Sequence, residues 1–212
     1  PEGNDNTGSF PNFQSINSGA PFDTAGVVFS PQHNVDQERQ RYRMRVRLGA
    51  EIPMDDHLSA GLRIATGSDN SPVTTNQTLG GGFSKYAIWL DRAFVRYHYD
   101  WDNVSATLLG GRFENPFYST HIIYDEDLGF DGLAAKFKGK IGQKVRPFLT
   151  AGAFPIYNTD FNFSSNQPAK FESNDKFLYG AQIGADFDVT DDLTARIAAA
   201  YYNFADVEGR LS

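Results

Sequence analysis

These 212 residues predict an all-β fold, an antiparallel transmembrane β-barrel with about eight strands in this chain and room for more in a larger barrel. Three observations predict it. Apolar residues recur at every second position, basic and acidic residues occupy different stretches, and short turns alternate with long polar connections. Composition agrees, since 14% aromatic residues, 20 glycines and only 2 methionines favour strands and turns over helices. No run approaches the ~18 apolar residues of a membrane helix. The absence of cysteine excludes disulfides and thiolate metal sites. The opening Pro1-Glu2-Gly3-Asn4-Asp5 is polar and carries no signal peptide, so the chain reads as mature, trimmed or partial.

The formal net charge of −7 argues against a nucleic-acid binder and by itself suggests an acidic soluble protein. That total hides a segregation. Eleven of the twelve arginines fall in segments with strand periodicity, whereas of 26 acidic residues only Glu51, Asp91, Asp186 and Asp188 do. An ordinary soluble surface intersperses the signs.

The segment Arg39 to Ile52 is the clearest. Arg39, Arg41, Arg43, Arg45 and Arg47 hold odd positions, and Tyr42, Met44, Val46, Leu48, Ala50 and Ile52 hold even ones. Alternation at period two puts the guanidiniums on one face of a long strand and an apolar row on the other. His57 to Thr66 sets Leu58, Ala60, Leu62 and Ile64 against Ser59, Gly61 and Arg63. Lys85 to Tyr99 alternates in its second half, Ala93, Val95, Tyr97 and Tyr99 against Arg92, Phe94, Arg96 and His98. Its first half slips phase at Asp91, which predicts a bulge. In Val104 to Phe113, Arg112 shares the register of Val104, Ala106 and Leu108, so its facing stays open.

Four further strands follow. Gly132 to Gly139 sets Leu133, Ala135 and Phe137 against Lys136 and Lys138; Val145 to Phe154 sets Leu149, Ala151 and Ala153 against Arg146 and Thr150. Lys176 to Asp188 sets Ala181, Ile183, Ala185 and Phe187 against Gln182, Gly184, Asp186 and Asp188. Leu193 to Phe204 sets Ala195, Ile197, Ala199 and Tyr201 against Thr194, Arg196 and Tyr202.

Short connections at Pro53–Asp56, Asp100–Asn103, Lys140–Lys144 and Val189–Asp192 alternate with long ones at Gly67–Ser84, Glu114–Asp131 and Pro155–Asp175. Short turns on one side and long loops on the other is the habit of bacterial outer-membrane barrels. Residues 39–204 thus read as four hairpins, 1–38 as an extracellular loop region and 205–212 as the start of a further loop. Two facings compete. In a soluble sandwich or ligand-binding barrel the apolar rows pack together and the arginines meet bulk water. In a membrane barrel the apolar rows face lipid and the charged rows line a hydrated lumen. Aromatics near strand ends, Tyr97, Tyr99, Trp101, Tyr157, Tyr201 and Phe204, suit an interfacial girdle and favour the second.

Several stretches carry a resemblance as well. They are Asn34-Val35-Asp36-Gln37 leading into the arginine strand, Gly61-Leu62-Arg63-Ile64-Ala65-Thr66-Gly67, Ser71-Pro72-Val73, and Thr75-Asn76-Gln77-Thr78-Leu79-Gly80. Phe83-Ser84-Lys85-Tyr86-Ala87-Ile88-Trp89-Leu90-Asp91-Arg92-Ala93 and Asn115-Pro116-Phe117-Tyr118 complete them. With the opening Gly3-Asn4-Asp5-Asn6-Thr7-Gly8, they resemble the putative porin family of Gram-negative outer membranes over nearly the whole chain. The resemblance implies an outer-membrane β-barrel channel without a catalytic role. It also implies an internal portion of a longer member, with strands before and after.

If the charged rows face water, Arg39, Arg41, Arg43, Arg45, Arg47, Arg63, Arg92, Arg96, Arg146, Arg196, Lys136 and Lys138 line the pore. Such a wall enriches anions over cations, so a passive diffusion channel for small solutes with modest anion preference is expected. The connection after Gly110-Gly111-Arg112-Phe113 carries Glu114, Asp125, Glu126 and Asp127 and is a candidate constriction loop, by analogy with general diffusion porins. The bland reading of that loop, acidic and solvated outside the cell, competes with it. The expected partners are outer-membrane lipid and small solutes, anionic ones included. Homotrimer association and a non-conducting structural or receptor-type barrel, plugged by residues 1–38, stay open as alternatives. No metal or cofactor is expected. Asp125-Glu126-Asp127 lacks EF-hand spacing, and the histidines at 33, 57, 98 and 121 are scattered.

Overall fold

The structure, a computed structural model, describes residues 10–11, 32–33, 40–67, 73–120, 123–125, 127–158, 175–190 and 192–207. Among them there is no helix. The chain divides into two units, Pro1–Tyr42 and Arg43–Ser212. In the first, β1 (Phe10–Pro11) pairs antiparallel with β2 (Gln32–His33). The loop role read for residues 1–38 lies otherwise outside the described residues.

The second unit is built on an eight-stranded antiparallel sheet. Its strands are β4 (Arg47–Pro53), β5 (Leu58–Ala65), β7 (Trp89–Asp100), β8 (Val104–Glu114), β9 (Gly129–Gly139), β10 (Val145–Tyr157), β11 (Lys176–Thr190) and β12 (Leu193–Ala205). Each pairs with the next in this order, so the sheet is a simple up-and-down meander. A separate ladder joins β3 (Arg43–Met44) to β6 (Gln77–Thr78). The sheet is open, with β4 and β12 as its two edges, and these do not pair with each other.

Two boundaries move by more than three residues from the sequence reading, for physical reasons. The expected strand from Arg39 to Ile52 is not continuous, and the sheet begins at Arg47. Thr66 N–H still donates to the Val46 carbonyl at 3.0 Å, but the Val46 N–H donates to the Thr66 hydroxyl at 3.0 Å instead of to a backbone carbonyl. A side chain has replaced the ladder acceptor, and upstream of it Arg43 pairs with Thr78 of the following loop. The strand expected from Lys85 starts only at Trp89. Before it, the Tyr86 hydroxyl accepts the N–H groups of Gly80 and Gly81 at 3.1 and 3.3 Å, which holds this segment as a loop.

The bulge predicted near Asp91 is present: Arg63 pairs with Arg92 and Ile64 with Leu90, leaving Asp91 outside the ladder. Sharp bends also occur where Gly111 faces Gly132 across β8 and β9. Both have positive φ, +114° and +136°, and a Cβ at either would collide with the carbonyl oxygen of Ala93 or Ala153. Only glycine accepts that backbone without strain.

Directly opposed residues share a face of a sheet, so the register fixes what each face carries. One face holds Leu48, Leu62, Val95, Leu108, Leu133, Leu149, Ile183 and Ile197. They are not packed together: Leu62 is 55% exposed, Ile183 63% and Ile197 69%. The opposite face holds the charged rows, and the buried core lies there, formed by Phe113, Phe117, Phe130, Ala134, Phe154 and Leu178. Arg112, left open above, lies on the aliphatic face opposite Ala93 and Asp131, and it binds Asp131 at 2.6 Å.

Candidate functional site

The charged face is assembled by the ladders. On β7, Arg96 and His98 oppose Leu109 and Thr107 of β8. Thr107 opposes Lys136 of β9, which opposes Thr150 of β10. Thr150 opposes Gln182 of β11, and four residues away on β10, Arg146 opposes Asp186, which opposes Arg196 of β12. Side chains far apart in sequence therefore form rows across the sheet.

The arginines on this face are not a bare positive wall. Arg47 binds Asp127 at 2.9 Å, Arg96 binds Glu51 at 2.6 Å, and Arg63 binds Asp91, with Glu114 at 3.4 Å. Arg146 donates to both carboxylate oxygens of Asp188, one at 2.7 Å, and Arg196 embraces Asp186 in the same two-pronged way. Arg92 is 3% exposed, lies 3.5 Å from Asp91, and has an Nε without a hydrogen-bond partner. Charge-assisted, two-pronged arginine contacts hold a side chain in one orientation. By contrast, Lys136 and Lys138 have no carboxylate within 4 Å among the described residues.

The remaining members of the arginine row fall elsewhere. Arg45 is exposed and donates to Asn76 at 3.0 Å in the loop before β6, and Arg43 is exposed in the short β3–β6 ladder. Arg41 belongs to the first unit, outside any strand, and Arg39 lies outside the described residues. Among the described members of the row, only Arg47 is on the eight-stranded sheet.

The connection from Asn115 to Leu128 crosses the charged face. Phe117 is 4% exposed and meets Phe154, Phe130 and Tyr202 edge to face, with centroids 5.9, 6.0 and 5.3 Å apart. Its ring fills the space over Gly180, where a Cβ would lie 2.6 Å from Phe117 Cζ. Beside it, the Tyr118 N–H donates to Gln182 Oε1 at 2.7 Å, and Gln182 Nε2 donates to the Tyr118 carbonyl at 2.8 Å. Gln182 is 3% exposed. At its far end the strap is held by the Arg47 contact to Asp127 and by Arg92 Nη2 donating to the Asp127 carbonyl at 3.4 Å. One loop thus reaches from β4 to β12.

Of the four acidic residues named for this loop, Asp127 meets an arginine of the sheet and Glu114 reaches Arg63 at 3.4 Å. Asp125 instead accepts the Asp127 N–H at 2.8 Å within the loop, and Glu126 lies outside the described residues. Tyr124 packs edge to face on Tyr202 at 5.1 Å, and burial pushes its hydroxyl pKa up. Sequence reasoning missed Phe117 and Gln182 as anchors. The available signal was the set Phe113, Phe154 and Leu178, apolar residues standing in the charged rows beside long connections.

A meandering antiparallel sheet with one aliphatic and one charged face defines the chain as an all-β protein. The sequence profile of the family described as putative porin matches residues 1–212, the whole chain, and the chain belongs to that family. A search of curated proteins finds no match.

Proposed function

We propose that this chain forms part of the wall of an outer-membrane porin, a water-filled passive channel for small solutes with no catalytic role. The observation that carries the reading is the facing. Rows of leucine, isoleucine and valine stand exposed on one side while the paired charges line the other. Soluble proteins rarely leave contiguous apolar patches of this kind, because each Å² exposed to water costs roughly 25 cal/mol. Acyl chains remove that cost. The soluble reading would need the same rows packed in a dry centre, and Ile183 and Ile197 are instead more than half exposed.

In this reading the strap from Asn115 to Leu128 narrows the bore, pinned by Phe117 and Gln182. The arginine ion pairs leave the field of the wall weaker than the count of arginines suggests, so the anion preference is modest. The partners are outer-membrane lipid and small solutes. Planar-bilayer recording of the full-length protein tests all three parts. Discrete conductance steps and a reversal potential shifted toward chloride are expected, with larger steps after deletion of residues 118–127. Cation selectivity would overturn the preference, unchanged steps the constriction. A silent but membrane-inserted protein would replace the pore with a non-conducting barrel.

A further inference from the structure

We propose that Lys136 and Lys138 form a solute-binding point that takes the carboxylate of a small organic anion, with its apolar body against Tyr118 and Phe148. The proposal deepens the pore reading and rests on it.

Most of the basic side chains on this face are already spoken for. Arg47, Arg63, Arg92, Arg96, Arg146 and Arg196 each have a carboxylate within 4 Å. Lys136 and Lys138 share the face and have none among the described residues. They stand two residues apart on β9, so their Cα atoms are about 7 Å apart on one side of the strand. Two like charges so close repel, and an anion seated between them relieves the repulsion. An ammonium on a flexible four-carbon arm, with three rotatable donors, suits a ligand that arrives and leaves. The locked guanidiniums do not have that freedom.

The surroundings select an anion with an apolar body. A cavity of about 530 Å³ opens beside the two lysines, lined further by Pro116, Tyr118, Pro147 and Phe148. That volume lies in the range of small-molecule sites. The rings of Tyr118 and Phe148 are held in place by Arg196, whose guanidinium lies 4.9 and 5.5 Å from their centroids. Asp186, the carboxylate in this cavity, is already engaged by Arg196. On the other side of the lysines lies a second cavity of about 760 Å³, reaching to His57 and His98 near the short turns. The pair therefore lines both aqueous spaces on the same face.

The test uses the full-length protein folded in detergent, with benzoate as the probe, benzamide as its neutral counterpart and inorganic phosphate as a purely charged one. Saturation-transfer NMR should show benzoate bound and benzamide absent, and inorganic phosphate, which has no carbon-bound proton to observe, should displace the bound benzoate only weakly. In the K136Q/K138Q double variant the benzoate affinity should fall at least tenfold, while the turn variant K140Q should behave as wild type. Heat-modifiable gel migration confirms that each variant is folded. Undiminished binding in the folded double variant, or none to the wild type, overturns the site. Equal binding of benzoate and phosphate overturns the role given to Tyr118 and Phe148. Bilayer recording of the same preparations separates the two claims. A protein that binds benzoate yet does not conduct sinks the pore and keeps the site; conduction with undiminished binding in the double variant does the reverse.

Discussion

The two ends of the charged face follow the same alternation and end up in opposite states. Toward the long connections the face carries Phe113, Phe130, Phe154 and Leu178, all buried. Toward the short turns it carries Arg96 with Glu51, Arg146 with Asp188, and Lys138, in open and solvated surroundings. Strand, sheet and facing are shared. The difference is the strap, which brings Phe117 down onto one end and leaves the other open. Facing alone therefore does not decide whether a surface is wet; what is laid across it does.

Breaking the dry end should have the largest effect. Phe117→Ala removes the ring at the centre of the aromatic cluster, and truncating a buried phenylalanine costs about 3–5 kcal/mol. The urea midpoint for unfolding from detergent or lipid should drop accordingly, and a change near zero would mean that the strap does not depend on its anchor.

The comparison between the two faces is sharpened by Ile197→Arg. If the aliphatic face meets lipid, an arginine at this point of β12 costs up to roughly 2–4 kcal/mol of folding free energy in bilayers. In water the same exposed position would tolerate it. A variant as stable in lipid as the parent breaks the assignment of that face.

Gln182→Ala should cost about 2 kcal/mol, since it removes two hydrogen bonds from the Tyr118 backbone, each worth about 1 kcal/mol. Hydrogen exchange should rise across residues 115–120 and stay unchanged at the β11–β12 turn, which separates loosening of the strap from general destabilisation.

The smallest effect belongs to the wet end. Asp55 accepts the N–H groups of His57 and Leu58 at 2.7 Å each, and these backbone contacts hold its carboxyl pKa below the usual value, the His57 contact being the larger cause. A carboxylate with a lowered folded pKa stabilises the turn above its unfolded pKa, near ~3.9. That stability is lost as pH falls through the folded value. Asp55→Asn should flatten the acid limb of a stability–pH curve, and an identical curve would rule the turn out as a source of it.

Much of the sheet was legible in residue order because a half-buried strand writes period two directly into sequence. The strands from β8 to β12 lie where alternation put them, each extended by one to three residues at one end. The Asp91 phase slip announced the bulge. The end of β4 was not legible, since Arg43 and Arg45 continue the alternation perfectly. What stops the ladder is the Thr66 hydroxyl, and nothing in the local pattern distinguishes that threonine from one facing water. Gln182 looked like one more polar residue in its row for the same reason.

By itself the sequence determined that this is an antiparallel all-β chain, where its short turns fall, and, Arg112 aside, which side chains share a face from β8 to β12. These follow from backbone geometry, which repeats every two residues regardless of partners. Only the tertiary structure decided that Arg146 meets Asp188 and Arg196 meets Asp186, and that Phe117 is buried among the aromatics. Ion pairing depends on register between strands, and burial depends on which loop crosses which face. Both are distances in space between residues that the chain itself keeps ten or more positions apart.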